Sequence, residues 1–400
     1  MLAPWVTRTV VGIVLATFFS DVGHEMVTAV LPLYLASVGL GPAALGVMEG
    51  AADLAFSLSK LAGGAVGHRV QRKRPWMGAG YLVTTLGTGL IALVRLAPAV
   101  IALRTVAWFG RGFRSPLRDF MLADEVGPTH FGRAYGFERS ADMIGAVVGP
   151  LLAALLVWSG ASLGAIILWS VAPSALSVAS ALLFTRDRAA PPAPAEAAAA
   201  PADPAAHRAA FPRAYWLFVG GVLLFGLGDF SRTFLIVLAA RALGGGELGA
   251  VLTTAVLLYA GHNLVSALAA YPAGKLGDAG EKPRVLVAGY ALGVVTNVTL
   301  ALGSASLPWL VLAIVLSGIY IAIEETLEKA VVAQLLPREQ RSLGLGVLAS
   351  ANALGDLGSS LTVGLLLAAG RPTLAFLLPA AVGGLGVAWM AALVARRAIR

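Results

Sequence analysis

Ionisable side chains are scarce in this chain of 400 residues, where Asp, Glu, Lys and Arg together make up 12%, and several stand in the middle of long apolar runs. Asp21 and Glu25 are four apart and so share one helical face, with His24 beside them. A charge at the centre of a bilayer costs about 2.5–3.5 kcal/mol on insertion scales, so each such residue needs a use or a partner. Two carboxylates side by side in low dielectric repel, which favours a proton held by one of them and makes the pair a candidate proton carrier. The competing reading is a carboxylate neutralised by a nearby Arg to fix the helix. Glu49 and Asp53 repeat the spacing; Glu49 lies nearer the outer end and Asp53 deeper, so Asp53 joins Asp21 and Glu25 as a proton-coupling candidate.

Other polar residues suit a substrate cavity. Arg104, an isolated cation in an apolar run, could balance the Asp21 and Glu25 face. Asp229 and Arg232 are three apart, close enough to pair, either structurally or as a substrate clamp. His262 and Asn263 fall mid-span, as a polar contact between helices or as recognition groups. Asn352 and Asp356 complete the cavity set, with Glu138, Arg139, Asp142, Glu324, Glu325 and Glu328 suited to gating ion pairs or substrate contacts.

The elements that must carry these residues are membrane helices. Hydrophobic residues reach 58%, against about 45–50% in a soluble domain. Apolar stretches near the ~20 residues that cross a bilayer cover 10–37, 44–66, 76–98, 99–120, 134–160, 163–185, 214–240, 248–272, 284–303, 307–329, 343–369 and 373–395. Lys and Arg collect in every second gap, at 67–75, 111–133, 186–213, 275–284 and 338–341, and at the C-terminus. The positive-inside rule therefore puts those gaps and both termini in the cytoplasm. The run after Met1 to Arg8 carries Asp21, His24 and Glu25 and lacks a small-residue cleavage site, so it reads as a first membrane helix and not a removed signal.

The expected architecture is all-α: twelve transmembrane helices in two six-helix bundles, residues 1–185 and 214–400, joined by the Ala/Pro-rich segment 186–213. Prolines at that density favour an extended spacer, either a tether or a docking segment. With no cysteine, disulfides and thiolate sites are excluded. No His-Glu-x-x-His, Gly-x-Ser-x-Gly or Gly-Lys-Thr spacing is present, so neither an enzyme nor a metal or cofactor is expected. The net charge of +8 is what basic helix ends give, so nucleic acid is not an expected partner.

The halves echo one another. Gly64 to Arg69 before Arg74-Pro75 and Gly80-Tyr81 is matched by Gly274 to Asp278 before Lys282-Pro283 and Gly289-Tyr290, and Pro128…Gly136 by Pro337…Gly344. Gly64-x-x-Gly67-His68-Arg69-x-x-Arg72-Lys73-Arg74 resembles the loop signature of the major facilitator superfamily, and Gly274-x-Leu276-Gly277-Asp278-x-Gly280 resembles it more closely. The resemblance covers the whole chain and implies gating roles for Gly64, His68, Arg69, Arg72, Gly274 and Asp278. His68 stands where the family has Asp, which puts the first-half charge relay in doubt. Gly110 to Asp119 is similar to the helix-four end and loop of a bacterial subgroup, adding Arg118 and Asp119 to the gating set. Gly136, Gly145, Gly149-Pro150 and Ala153 are similar to the helix-five motif of the superfamily's antiporters, in which small residues permit close packing and proline a bend. A generic small-residue packing face is the alternative.

The resemblance implies a monomeric, multi-pass carrier in the inner membrane of a bacterium, handling a small molecule and protons within membrane lipid. Proton-coupled antiport exporting an organic or amphiphilic molecule is the expected activity. The alternative is a proton symporter importing a nutrient or metal chelate.

Overall fold

In a lipid interior, apolar runs of this length must satisfy their own backbone groups, and a helix does so. A computed structural model describes residues 3–39, 42–188, 210–229, 238, 248–303 and 306–399, and among these no strand occurs. Twelve helical rods are found among them. The first six are α1 (Arg8–Ser37), α2 (Pro42–Arg69), α3 (Arg74–Leu90), α4 (Ala97–Glu125), α5 (Phe131–Trp158) and α6 (Leu163–Leu183), the last formed of two segments meeting at Ser170. The others are α7 (Arg213–Gly226), α8 (Leu248–Ala279), α9 (Lys282–Gly303), α10 (Leu307–Leu335), α11 (Arg338–Ala368) and α12 (Pro372–Ala395). Arg232, the rest of the seventh span and residues 189–209 of the Ala/Pro segment lie outside the described residues.

Several helices outrun the expected spans. α4 continues past residue 120 to Glu125 with Pro116 inside it, so Gly110 to Asp119 is helix and not loop. Its arginines did not end the helix because, as shown below, they turn inward to polar partners. α2 and α8 likewise extend to Arg69 and Ala279, which places Gly64, His68, Arg69, Gly274 and Asp278 on closing helical turns and leaves Arg72 in the short α2–α3 connection. Eight rods are long and apolar enough to cross a bilayer unaided, and the charged α4 is not among them.

In the first half α1 packs on α5 and α6, and α4 on α2 and α3; in the second α10 packs on α8 and α9, and α12 on α7 and α9. The halves meet along α5 against α8 and α2 against α11. Glycine permits both seams. A Cβ at Gly132 would stand 2.3 Å from the Gly274 carbonyl oxygen, and one at Gly64 3.0 Å from the Gly346 Cα. The buried apolar clusters show where the joint is. One cluster, from Val10, Leu117 and Tyr135 to Phe218, Tyr290 and Leu327, runs through both halves at the Lys/Arg-rich end. At the other end the core separates into one cluster around Leu31, Met48 and Ile166 and another around Leu300, Ile314 and Phe376. Among the described residues the bundles are therefore joined at the basic end and divided at the opposite one.

Candidate functional site

Along the joint between the halves, the first-half wall is an ionic stripe. On α4, Arg104, Trp108, Arg111, Arg114 and Arg118 recur at three- and four-residue spacing, so they face α1 together. Arg111 pairs with Asp21 at 2.7 Å. Arg114 donates to Ser20 Oγ (2.7 Å) and Thr84 Oγ1 (3.1 Å) and lies over the Tyr81 ring at 3.9 Å. Arg118 binds Asp119 (2.9 Å) and Glu138 (2.8 Å). Arg104 does not reach Asp21; its partner is Glu49 at 3.4 Å. The expected balancing cation is thus corrected to Arg111, seven residues along the same face, a residue that sequence reasoning had placed in a loop.

Asp142 of α5 also acts electrostatically on Asp21 and is itself held by Arg139 at 2.6 Å. Glu25 is half-buried, with its Cβ 2.8 Å from where a Cβ on Gly149 would stand. The helix-five glycines make this geometry: a Cβ at Gly145 would come 2.6 Å from the Phe18 carbonyl oxygen, and at Gly149 2.7 Å from that of Val22. Pro150 sits inside α5 without ending it. Gly136 serves the other side of α5, against the Ala270 carbonyl of α8. His24 is buried edge-on to Trp108, with ring centroids 5.1 Å apart. Asp53 is exposed on α2, in the field of Glu49, Arg104 and Lys60.

The second-half wall is acidic. Glu328 accepts from Asn352 Nδ2 at 2.6 Å and from the Tyr290 hydroxyl, and Asp229 accepts from the Tyr320 hydroxyl at 2.5 Å. Glu324 is buried nearby, in the field of Asp229, Glu328 and Asp356. His262 and Asn263 are fully buried, His262 bonded to Ser317 of α10 at 3.1 Å, so in this state they form a contact between helices. Arg139 joins the walls, binding Asp142 at 2.6 Å and Glu325 at 2.8 Å. Lys60 of α2 rests on the Phe56 ring at 4.1 Å; together with Arg111 and the tyrosines it was missed from sequence. A lone Lys seven residues after Asp53 on one helical face was the available signal.

The basic end is latched by helix termini. Asp278 accepts from the backbone N–H of Gly132 (2.9 Å) and Arg133 (2.8 Å), the first turn of α5, with Lys282 at 3.3 Å. In the equivalent place His68 Nδ1 contacts the Glu339 carbonyl at 2.8 Å. Arg338 of α11 pairs with Asp124 of α4 and donates to the Arg188 carbonyl at 3.0 Å. Lys73 rests over Phe120 at 4.2 Å, and burial, then the neighbouring Arg338, holds its ammonium below the ordinary lysine range. Arg69 and Arg72 are exposed. Arg118 and Asp119, expected in a gating loop, belong instead to the buried α4 stripe, with Lys329 of α10 3.8 Å from Asp119.

Comparison with known proteins places this architecture. A model of the Major Facilitator Superfamily matches residues 13–261 and 228–399. An uncharacterized MFS-type transporter of Methanocaldococcus jannaschii is 25% identical over 362 residues, covering 88% of this chain and 86% of that one. A multidrug resistance protein B homolog of Mycobacterium tuberculosis is 30% identical over 182 residues, 45% of this chain and 33% of that one. Among solved structures, the Escherichia coli fucose:proton symporter superposes with a TM-score of 0.73 at 14% identity, covering 97% of this chain and 99% of that one.

Proposed function

The chain belongs to the Major Facilitator Superfamily of transporters, and on that premise we propose that it exports a small organic molecule in exchange for protons by alternating access. The observation that carries this reading is the buried carboxyl group of Asp21 in α1, held by Arg111 of α4 at 2.7 Å. A buried carboxyl group that gains or loses a proton changes the charge of its site by one when the carrier is reloaded. Because α5 reaches that pair through Gly145 and Gly149 and the opposite half through Gly136, a bend at Pro150 would couple its protonation to the seam. The acidic second-half wall favours a cationic or neutral amphiphilic substrate, and the partial likeness to a multidrug resistance homolog supports outward transport.

On this reading residues 1–185 and 214–400 are the two moving bundles, 186–213 their cytoplasmic tether, and both termini are cytoplasmic in the inner membrane of a bacterium. The joined basic end then makes this an outward-facing state of a monomeric carrier. Glu25 and Asp53 relay protons, while Arg104, His24, Asp229, Asn352 and Asp356 line the path. Transport of a compound panel in inverted vesicles tests the proposal. Substrate accumulation should collapse with the proton gradient and should be lost in Asp21→Asn and Asp142→Asn. Gradient-driven transport that survives both substitutions would refute it.

A further inference from the structure

The segment before α1 reaches across the joint. Thr7 Oγ1 accepts from the Val10 N–H at 3.3 Å, a side-chain cap that starts the helix. A tight turn precedes it, with the Val6 N–H bonded to the Ala3 carbonyl at 2.8 Å and the Thr7 N–H to that of Trp5 at 3.0 Å. Arg8 fixes this start to the first half, donating to the Leu183 carbonyl of α6 at 2.8 Å and lying over the Phe184 ring at 5.4 Å. The backbone of residues 3–7 therefore moves with the first bundle.

The Trp5 side chain lies among three rings. It is near parallel to His130, just before α5, with centroids 6.2 Å apart, and edge-on to Phe137 of α5 at 6.3 Å. Its third neighbour is Tyr271 of α8, near parallel at 6.5 Å, and Tyr271 meets Phe137 edge-on at the same separation. Aromatic pairs attract at such separations and angles. Tyr271 belongs to the second half and stands on the seam itself, its Cα 3.0 Å from where a Cβ on Gly136 would be. Trp5 also packs against the apolar cluster that runs through both halves. A ring carried by one bundle and seated on a ring of the other makes a contact that parting of the basic end must break.

We propose that residues 3–7 are a strap that holds the basic end shut, with Trp5 gripping Tyr271 and releasing it each time the seam opens. Asp278 and His68 latch that end through hydrogen bonds between helices, whereas the strap works through an apolar contact made by a segment that precedes the first span. Its strength sets how often the carrier opens on this side. One aromatic pair contributes enough beyond its area to change such an equilibrium about three- to tenfold.

The test uses the full chain in nanodiscs with Ser140→Cys as reporter. Ser140 donates to the Ala267 carbonyl at 2.7 Å across the seam, one turn along α5 from Phe137, so a thiol there meets a maleimide only when the seam parts. Its labelling rate should rise about three- to tenfold with Trp5→Ala, at least as much with Tyr271→Ala, and no further when the two are combined, while Trp5→Phe should stay within about twofold of the parent. A ring that merely covers the start of α1 would lower the melting temperature and leave the labelling rate alone. That result, while Asp278→Ala does speed labelling, would overturn the strap, as would effects of Trp5→Ala and Tyr271→Ala that multiply. Should the thiol stay unreactive in every variant, Asp278→Ala included, rocking at this seam fails and the strap with it.

Discussion

The latch at the basic end predicts an asymmetry that can be measured. Asp278 accepts two backbone N–H groups at the start of α5, and both bonds cross the seam. When the basic end opens, those bonds must break while the rest of each bundle persists, so their loss appears in the conformational equilibrium and not in global unfolding. Hydrogen bonds to a charged group contribute about 1.5–3 kcal/mol each, and a carboxylate at a helix N-terminus adds about 0.3–1 kcal/mol. Part of this is recovered when Asp278 and the helix end are solvated in the open state, leaving about 2–3 kcal/mol. Asp278→Ala should therefore raise the open population by about 30- to 150-fold. His68 Nδ1 contacts the Glu339 carbonyl; losing an ordinary hydrogen bond costs about 1 kcal/mol, so His68→Ala should shift the same equilibrium about fivefold.

The chain contains no cysteine, so one engineered thiol reports without background. Ser140 donates to the Ala267 carbonyl at 2.7 Å across the α5–α8 seam, and a Ser140→Cys thiol there should react with a maleimide only when the seam parts. In nanodiscs, the labelling rate should rise by one to two orders of magnitude with Asp278→Ala and only a few-fold with His68→Ala. A rate within twofold of the parent for Asp278→Ala, or an effect of His68→Ala as large as that of Asp278→Ala, would show that helix-terminus contacts do not hold the seam.

Three further outcomes follow from the same geometry. Arg111→Gln leaves Asp21 buried without its cation, so the melting temperature should drop by an amount equivalent to about 3–5 kcal/mol, with partial recovery in Arg111→Gln/Asp21→Asn; a variant as stable as the parent would deny the pair its importance. Arg104→Gln touches a half-exposed Glu49 instead, so the pH dependence of transport should stay where it is, and a displaced profile would restore Arg104 as the partner of Asp21. Gly149→Ala forces a methyl within 2.7 Å of the Val22 carbonyl and 2.8 Å of the Glu25 Cβ, for which overpacking costs of about 1–3 kcal/mol are usual; Gly164→Ala, where the nearest atom is 3.7 Å away, should be nearly silent in the same melting assay.

The fold was readable because lipid leaves few choices. Apolar length, alternating basic gaps and the echo of Gly64 to His68 in Gly274 to Asp278 all report constraints that act along the chain. The partners within the cleft were not readable, since an ion pair across helices depends on rotation about each helix axis and on where a helix stops. Arg111 shows both: counted as loop, it could not be weighed as the cation for Asp21, and once α4 is continued to Glu125 its register with Arg104 and Arg118 becomes evident. The Asp21 and Glu25 spacing was likewise a true statement about one face, but the close approach of α5 to that face depends on Gly145 and Gly149.

The scaffold is duplicated, yet its charge is not. Gly64 and Gly274 make equivalent seams, but one is finished by a histidine on a carbonyl and the other by a carboxylate on two N–H groups. The first-half wall binds Asp21 and Glu138 with its own arginines, whereas the second-half wall leans on hydroxyl and amide donors and on the charge reaching across from Arg139. In a carrier that rocks about the seam, cations reaching across it must exchange partners during each cycle, while pairs within a bundle travel intact. Among the described residues, the ion pairs that cross the seam are Arg139 with Glu325, Arg133 with Asp278, Lys329 with Asp119 and Arg338 with Asp124. Of these cations Arg139 also holds Asp142 of its own half, so one side chain connects an acid of the first half with one of the second.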